Sequence, residues 1–449
     1  MGSALHSTAR SEAMTTSTEL LKTRRFLPLF VTQLLGAFND NLFKNAMVLF
    51  VVYSVYSSEQ DEAWFSAIAS AVFVIPFFLL SALSGQLADM RDKARIIRIV
   101  KLCEILIMIV GAAGLFLAWE GTAVTTFAIP LMLLALFAMG VHSTFFGPIK
   151  YAILPQHLKR EEVLAGTGLV EAGTYIAILA GTIVAGWIDV EWSALAVLVL
   201  ALCGYVAGRQ VPPAPPQMPP QPLDFHVIRA SINLVRRTTH DRRVFLAIVA
   251  ISVFWAIGAV LFIQFPPLAK NVLSASKEVA SLFLVMFSVG VAIGSISINA
   301  LLKGHVSARH APASVIMMAV FLVLFQVVCR FWTERHDGGE LMDVATFVVQ
   351  PLAIPLLLTL LGIAVAGGMF VVPLYAFLTT FVEKSEAART VAANNIVNSG
   401  AMVIGSLIAA GLSAAGMAII EQLLVVAALC IVTAWLGRKL YLAEAAVPA

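Results

Sequence analysis

Charge is scarce in this 449-residue chain: only 12% of residues are Asp, Glu, Lys or Arg, about half the share found in soluble domains. A soluble fold must cover itself with polar surface, so an ordinary soluble enzyme is excluded. A disordered chain is excluded by the 60% of hydrophobic residues. The formal net charge of +3 is too small for a nucleic-acid binder. Cysteine is also sparse. The four, Cys103, Cys203, Cys329 and Cys430, lie in apolar stretches and form neither a metal spacing nor a disulfide framework. No signal peptide is expected, because the first long apolar run, from Phe26, is too long for one. The residues before about Leu20 are polar, and Met14 is a candidate natural start. Soluble-enzyme motifs are missing too: no Gly-x-x-x-x-Gly-Lys, His-Glu-x-x-His or Gly-x-Ser-x-Gly occurs. No catalytic residue, metal site or cofactor is expected.

What is present is hydrocarbon. The mean hydropathy is +0.92, the mark of a polytopic membrane protein. Twelve apolar runs are long enough to span a bilayer: 26–56, 64–88, 95–119, 124–147, 162–187, 190–209, 244–269, 278–302, 311–332, 350–381, 388–413 and 416–437. They must be helices, because lipid offers no partner to a free backbone group. With both termini in the cytoplasm, 24 of the 29 Lys and Arg residues fall inside, as the positive-inside rule requires. Lys101 counts among these loop charges. The outer loops are acidic, as at Glu59–Glu62, and Trp64, Trp119, Trp187, Trp192 and Trp332 are expected at the outer interface.

The domain plan follows: a flexible N-terminus at 1–21, a six-helix half at 22–209, a linker at 210–243, a second six-helix half at 244–441 and a tail at 442–449. Residues 210–222 hold seven prolines and read as an extended spacer. After it, Phe225, Ile228, Ile232 and Val235 recur at helical spacing among arginines, which predicts an amphipathic helix on the cytoplasmic membrane face. An offset of 225 residues aligns Pro148 with Pro373, Lys159 with Lys384, Glu161 with Glu386 and Gly186 with Gly411. Two parallel six-helix repeats are the major facilitator plan.

Ionisable groups in mid-membrane are functional candidates. Asp40 and Lys44 share a face of the first span by i,i+4 spacing and are expected to pair. Asn39 and Asn41 flank Asp40. Glu171, Lys150, Asn394, Asn395 and Asn398 complete the candidate substrate site. Glu104 and His142 are candidates for a proton or ion-pair site. The loop Gly85-Gln-Leu-Ala-Asp89-Met-Arg91-Asp92-Lys93-Ala-Arg95 reads glycine, acid, then basic residues. It is similar to the major facilitator loop signature, which implies gating roles for Asp89, Arg91 and Arg95.

These stretches together resemble the lysophospholipid transporter (LplT) family of the major facilitator superfamily. The resemblance rests on Gln33-Leu-Leu-Gly-Ala-Phe-Asn-Asp40-Asn41, Gly147-Pro-Ile-Lys150-Tyr, Gly168-Leu-Val-Glu171-Ala, Gly368-Met-Phe-Val-Val-Pro373 and Asn394-Asn-Ile-Val-Asn398. It covers roughly residues 22–440. It implies an all-α membrane protein of the bacterial inner membrane, a monomer, moving lysophospholipid from the outer to the inner leaflet. It also implies a functional link to a membrane acyltransferase or acyl–acyl carrier protein synthetase. No His-x-x-x-x-Asp acyltransferase motif occurs here. Two other readings stand beside it: a proton-coupled exporter of amphipathic drugs, and a membrane scaffold for a lipid acyltransferase.

Overall fold

The computed structural model describes residues 19–55, 59–335 and 341–446. Among these residues twelve helices exceed eighteen residues: α1 (Leu27–Ser54), α2 (Glu59–Met90), α3 (Lys93–Trp119), α4 (Ile129–Ala152), α5 (Val163–Trp187), α6 (Val190–Arg209), α7 (Arg242–Asn271), α8 (Lys277–Leu302), α9 (Ala311–Arg335), α10 (Ala353–Thr380), α11 (Ala387–Ala414) and α12 (Ile419–Ala445). Eleven are long and apolar enough to cross a membrane. The exception is α1, whose hydropathy is lowered by the polar run Asn39–Asn45. Local chemistry sets the helix starts. The Asp92 carboxylate caps α3 by accepting from the Ala94 and Arg95 amides, and Asp241 caps α7 through the Arg243 amide. Glu59–Glu62 forms the first turn of α2 rather than a loop, and α12 continues helically through Ala445. Residues 124–128 add one wide π-helical turn before α4.

The pairings α1–α5, α1–α6, α2–α4, α3–α4 and α3–α6 recur six helices later as α7–α11, α7–α12, α8–α10, α9–α10 and α9–α12. The two sets meet through α2–α11 and α5–α8. Contact is concentrated at the end that carries the Lys- and Arg-rich loops, here the basic end. There α5, α10 and α11 are almost continuously buried over 163–173, 370–379 and 390–396, whereas 403, 404, 407 and 408 of α11 are exposed. Both ends of the described chain reach the basic end. Arg25 bonds Glu162 at the start of α5, and Glu444 accepts from the Ala308 amide before α9.

Gly168 shows how closely the two sets approach. A Cβ there would lie 2.5 Å from the Ser295 carbonyl oxygen of α8. Gly168→Val is therefore expected to force α5 off α8 and to destabilise the packing by about 1–3 kcal/mol. A lowered Tm of the solubilised protein checks it.

The proline-rich linker is bonded along its length to the basic end. Residues 211–226 lie without helix along the α2–α3 turn. The Ala214 carbonyl accepts from the Lys93 amide, and the Gln217 and Met218 amides donate to the Asp89 carbonyl. The Ala214 amide donates to the Asp92 carboxylate, and Arg98 donates to the Val211 carbonyl. Burial lowers the pKa of His157, whose Nε2 faces the Pro213 carbonyl at 3.3 Å. A linker helix then spans Val227–Thr238. Trp119, Trp187 and Trp192 are exposed, but Trp332 is fully buried. It stacks on Phe347 and donates to the Leu273 carbonyl, so it belongs to the core and not to the interfacial belt. The side chain of Trp64 lies outside the described residues, as does Met14.

Candidate functional site

The polar run of α1 divides its side chains among α2, α3, α4 and α5. Asn39 is buried and its amide donates to Glu104 Oε1 on α3 at 3.1 Å. Asp40 is half-buried. Its Oδ2 accepts from the Ser143 hydroxyl of α4 at 2.6 Å, while Oδ1 has no protein partner. The expected Asp40–Lys44 ion pair is not formed: no bridge within 4.0 Å joins them, and the Lys44 ammonium sits 5.9 Å from the Phe73 ring centroid. Shared face alone did not decide the partner, because a hydroxyl of the facing helix was nearer. Asn41 bonds back to the Ala37 carbonyl, and Asn45 reaches Thr182 on α5.

Behind this run lies a charge cluster that a loop reading of Lys101 conceals. Lys101 is fully buried in α3, with its ammonium 2.5 Å from Glu104 Oε2. His142 Nε2 is 3.2 Å from the same oxygen. Space for the lysine comes from Gly36 on α1, where a Cβ would lie 2.7 Å from Nζ. Burying two charges is costly unless they pair, and here they do. Lys101 also lies 5.6 Å from the Phe146 ring centroid.

A second cluster joins the two six-helix sets near the basic end. Tyr151 donates its hydroxyl to Glu171 Oε1 and stacks on Tyr375 of α10 at 4.8 Å between centroids. The Tyr375 oxygen accepts from Trp255 of α7 at 2.9 Å, and from Asn394 and Asn398 of α11 at 3.4 and 3.3 Å. Ser252 donates to Asn398. Tyr175 stacks on Trp255. Lys150 donates to Thr174, which donates in turn to Gln33. Tyr151, Tyr175, Trp255 and Tyr375 were not among the sequence candidates. Aromatic residues in apolar spans pass for core, yet a phenol hydroxyl in hydrocarbon needs a partner, and the chain has only seven tyrosines.

Burial sorts these groups. Glu104, Lys101, His142, Glu171 and Asn394 are buried. Asp40, Asn41, Lys44, Lys150 and Asn395 are half-buried. The half-buried polar groups thus carry both charge signs, while Glu171 is buried and bonded by Tyr151.

At the basic end Asp89 is fully buried. Its Oδ1 accepts from the Ala388 amide at the start of α11, and its Oδ2 is 3.5 Å from Arg389 Nε. Negative charge at a helix N-terminus is favourable. Arg91 and Arg95 take no part in this contact. Arg91 is exposed and bonds only the Met90 carbonyl, and Arg95 is exposed, offering its amide to Asp92. Across the interface the cation is Arg389.

Among the described residues no group of three or more His, Cys, Asp or Glu is placed to hold a metal. The sequence pattern of the Major Facilitator Superfamily matches residues 12–336. The chain is 25% identical over 403 residues to a protein named lysophospholipid transporter LplT from Escherichia coli O1:K1 / APEC, covering 88% of this chain and 90% of the relative. A protein of the same name from Salmonella newport (strain SL254) is 26% identical over 406 residues, covering 88% and 89%. Two solved structures share the fold. A bacterial homologue of the iron transporter ferroportin in an outward-facing state superposes with a TM-score of 0.68 at 14% identity, covering 95% of this chain and 100% of that one. The human organic anion transporter MFSD10 (TETRAN) gives 0.70 at 12% identity, covering 92% and 99%.

Proposed function

Because the chain belongs to the major facilitator superfamily, a family of transporters, we propose that it moves lysophospholipid from the outer to the inner leaflet of the bacterial inner membrane by alternating access. The likeness to proteins named lysophospholipid transporter over 88% of the chain is the single observation that carries this reading. The physical chemistry agrees. A single-chain lipid needs a polar seat for its headgroup and an apolar path for its tail. Lys44 and Lys150 carry charge suited to phosphate. Asp40, with Oδ1 unpaired, suits an ethanolamine ammonium, and Asn41 and Asn395 suit glycerol and ester oxygens. Exposed Phe78 and Leu79 on α2, with Ile404 and Leu407 on α11, offer hydrocarbon to the tail.

In this reading the basic end faces the cytoplasm, and Asp89 with Arg389 keeps it closed while the other end is open. The Tyr151–Tyr375 stack forms the floor of the site, and Glu171 positions Tyr151. Delivered lysolipid then meets an acyltransferase in the inner leaflet. The six-helix halves, 22–209 and 244–441, rock as units about the linker.

Ligand-dependent stability tests the substrate class. Binding to the folded state raises Tm by mass action. Lysophosphatidylethanolamine is expected to raise the Tm of the purified protein and diacyl phosphatidylethanolamine to leave it unchanged. Equal stabilisation by cationic dyes would favour the exporter. The latch has its own test. Asp89→Ala removes an acceptor and a charge from the α11 start, a coupling of about 1–3 kcal/mol. Labelling of an Asn395→Cys variant from the basic side is expected to rise on the order of tenfold.

A further inference from the structure

We propose that the linker helix Val227–Thr238 is a binding surface for the anionic phospholipid bilayer, one that zwitterionic lipid or free phosphate does not satisfy. The helix has two apolar faces. Ala230, Ser231 and Leu234 are buried where the helix packs on α2 and α11. The other face holds Ile228 and Ile232, which are 68% and 61% exposed, and Phe225 just ahead of the helix is 70% exposed. These side chains need cover, and the surroundings specify it.

Depth is fixed by the strap that leads into the helix. The Asp224 amide donates to Gln86 Oε1 at 3.2 Å, and the Gln221 amide meets Met90 Sδ. The helix therefore starts level with the last turn of α2, the height at which a membrane helix leaves hydrocarbon for headgroups. An amphipathic helix at that height lies in the interface plane, apolar face towards the acyl chains.

Charge selects among lipids. Arg229, Arg236 and Arg237 are exposed on the helix. Arg229 also holds Asp224 at 3.2 Å, a surface bridge that a phosphate can displace at little cost. Beside Ile228, Arg229 and Ile232 lies an open depression of about 610 Å³ lined also by His226 and Asn233, a place for a headgroup between apolar and cationic walls. Three arginines near an anionic surface favour it over a neutral one by roughly a hundredfold. Nothing in this inference depends on which lipid the central site carries.

Amide hydrogen exchange of the full chain in lipid nanodiscs tests it. Discs of phosphatidylethanolamine with phosphatidylglycerol are compared with discs of zwitterionic lipid alone. Amides of 227–238 are expected to exchange at least about tenfold more slowly in the anionic discs. Ile232→Asp and Arg236→Glu/Arg237→Glu should abolish the slowing while exchange in α1–α12 is unchanged, which separates lost binding from lost fold. Equal exchange in both discs would overturn the proposal. So would slowing that survives both variants, or slowing reproduced in zwitterionic discs by inorganic phosphate.

Discussion

Lys101→Met is expected to destabilise the protein by about 3–5 kcal/mol, the cost of leaving a buried charge without its partner. Glu104 is 1% exposed, and its Oε2 faces only the Lys101 ammonium and the His142 ring. With the lysine gone, the carboxylate must take a proton or drag water between α1, α3 and α4. The double substitution Lys101→Met/Glu104→Gln removes both charges at nearly constant volume, and such replacement is often neutral or better. Its Tm is therefore expected to lie well above that of Lys101→Met. That ordering is the diagnostic, because two unrelated defects would add. A double variant as unstable as the single one would show that the lysine matters for packing against Gly36 and not for charge.

Asp40→Asn is expected to lower transport of lysophosphatidylethanolamine roughly 30–5000-fold, the range for removing one partner of a desolvated charge pair. The change keeps the shape and an acceptor for Ser143, whose hydroxyl bonds Oδ2 at 2.6 Å, so the fold should survive. What it removes is the charge on the unpaired Oδ1. The effect should depend on the headgroup. Lysophosphatidylglycerol has no ammonium, so its transport should change far less. Initial rates for both substrates in one vesicle preparation give the comparison. Equal loss for both would assign Asp40 to helix packing.

Much of the architecture was legible because hydrocarbon imposes strong rules. Span length located the long helices, most of them within a few residues, although α4 starts and ends five residues later than its apolar run and α12 runs eight residues further. The 225-residue offset foreshadowed helix pairings that recur six helices later. The same rules misplaced particular residues. Lys101 was read as a loop charge because it lies near a basic cluster, although Glu104 three residues on was the available sign of an internal pair. Trp332 lies near a span end like its interfacial relatives, and only tertiary packing on Phe347 shows that it is core.

The site was legible in its ingredients and not in its wiring. Asp40 and Lys44 were found together, but Ser143 is 103 positions from Asp40, and periodicity carries no information at that range. Arg389 as the partner of Asp89 is a contact across 300 residues of chain. Arg91 and Arg95, given gating roles by the loop signature, take no part in that contact. Tyr375, which gathers Trp255, Asn394 and Asn398, left one trace: a phenol in the middle of an apolar span.

The proposed work of this chain is to carry a single-chain phospholipid across a bilayer. The direct measurement is the inward movement of labelled lysophosphatidylethanolamine in liposomes holding the purified protein, against empty liposomes and against the Asp40→Asn variant. Accelerated movement is expected with wild-type protein, with loss of most of it in the variant and no acceleration of diacyl lipid. Wild-type movement no faster than in empty liposomes would contradict the proposal.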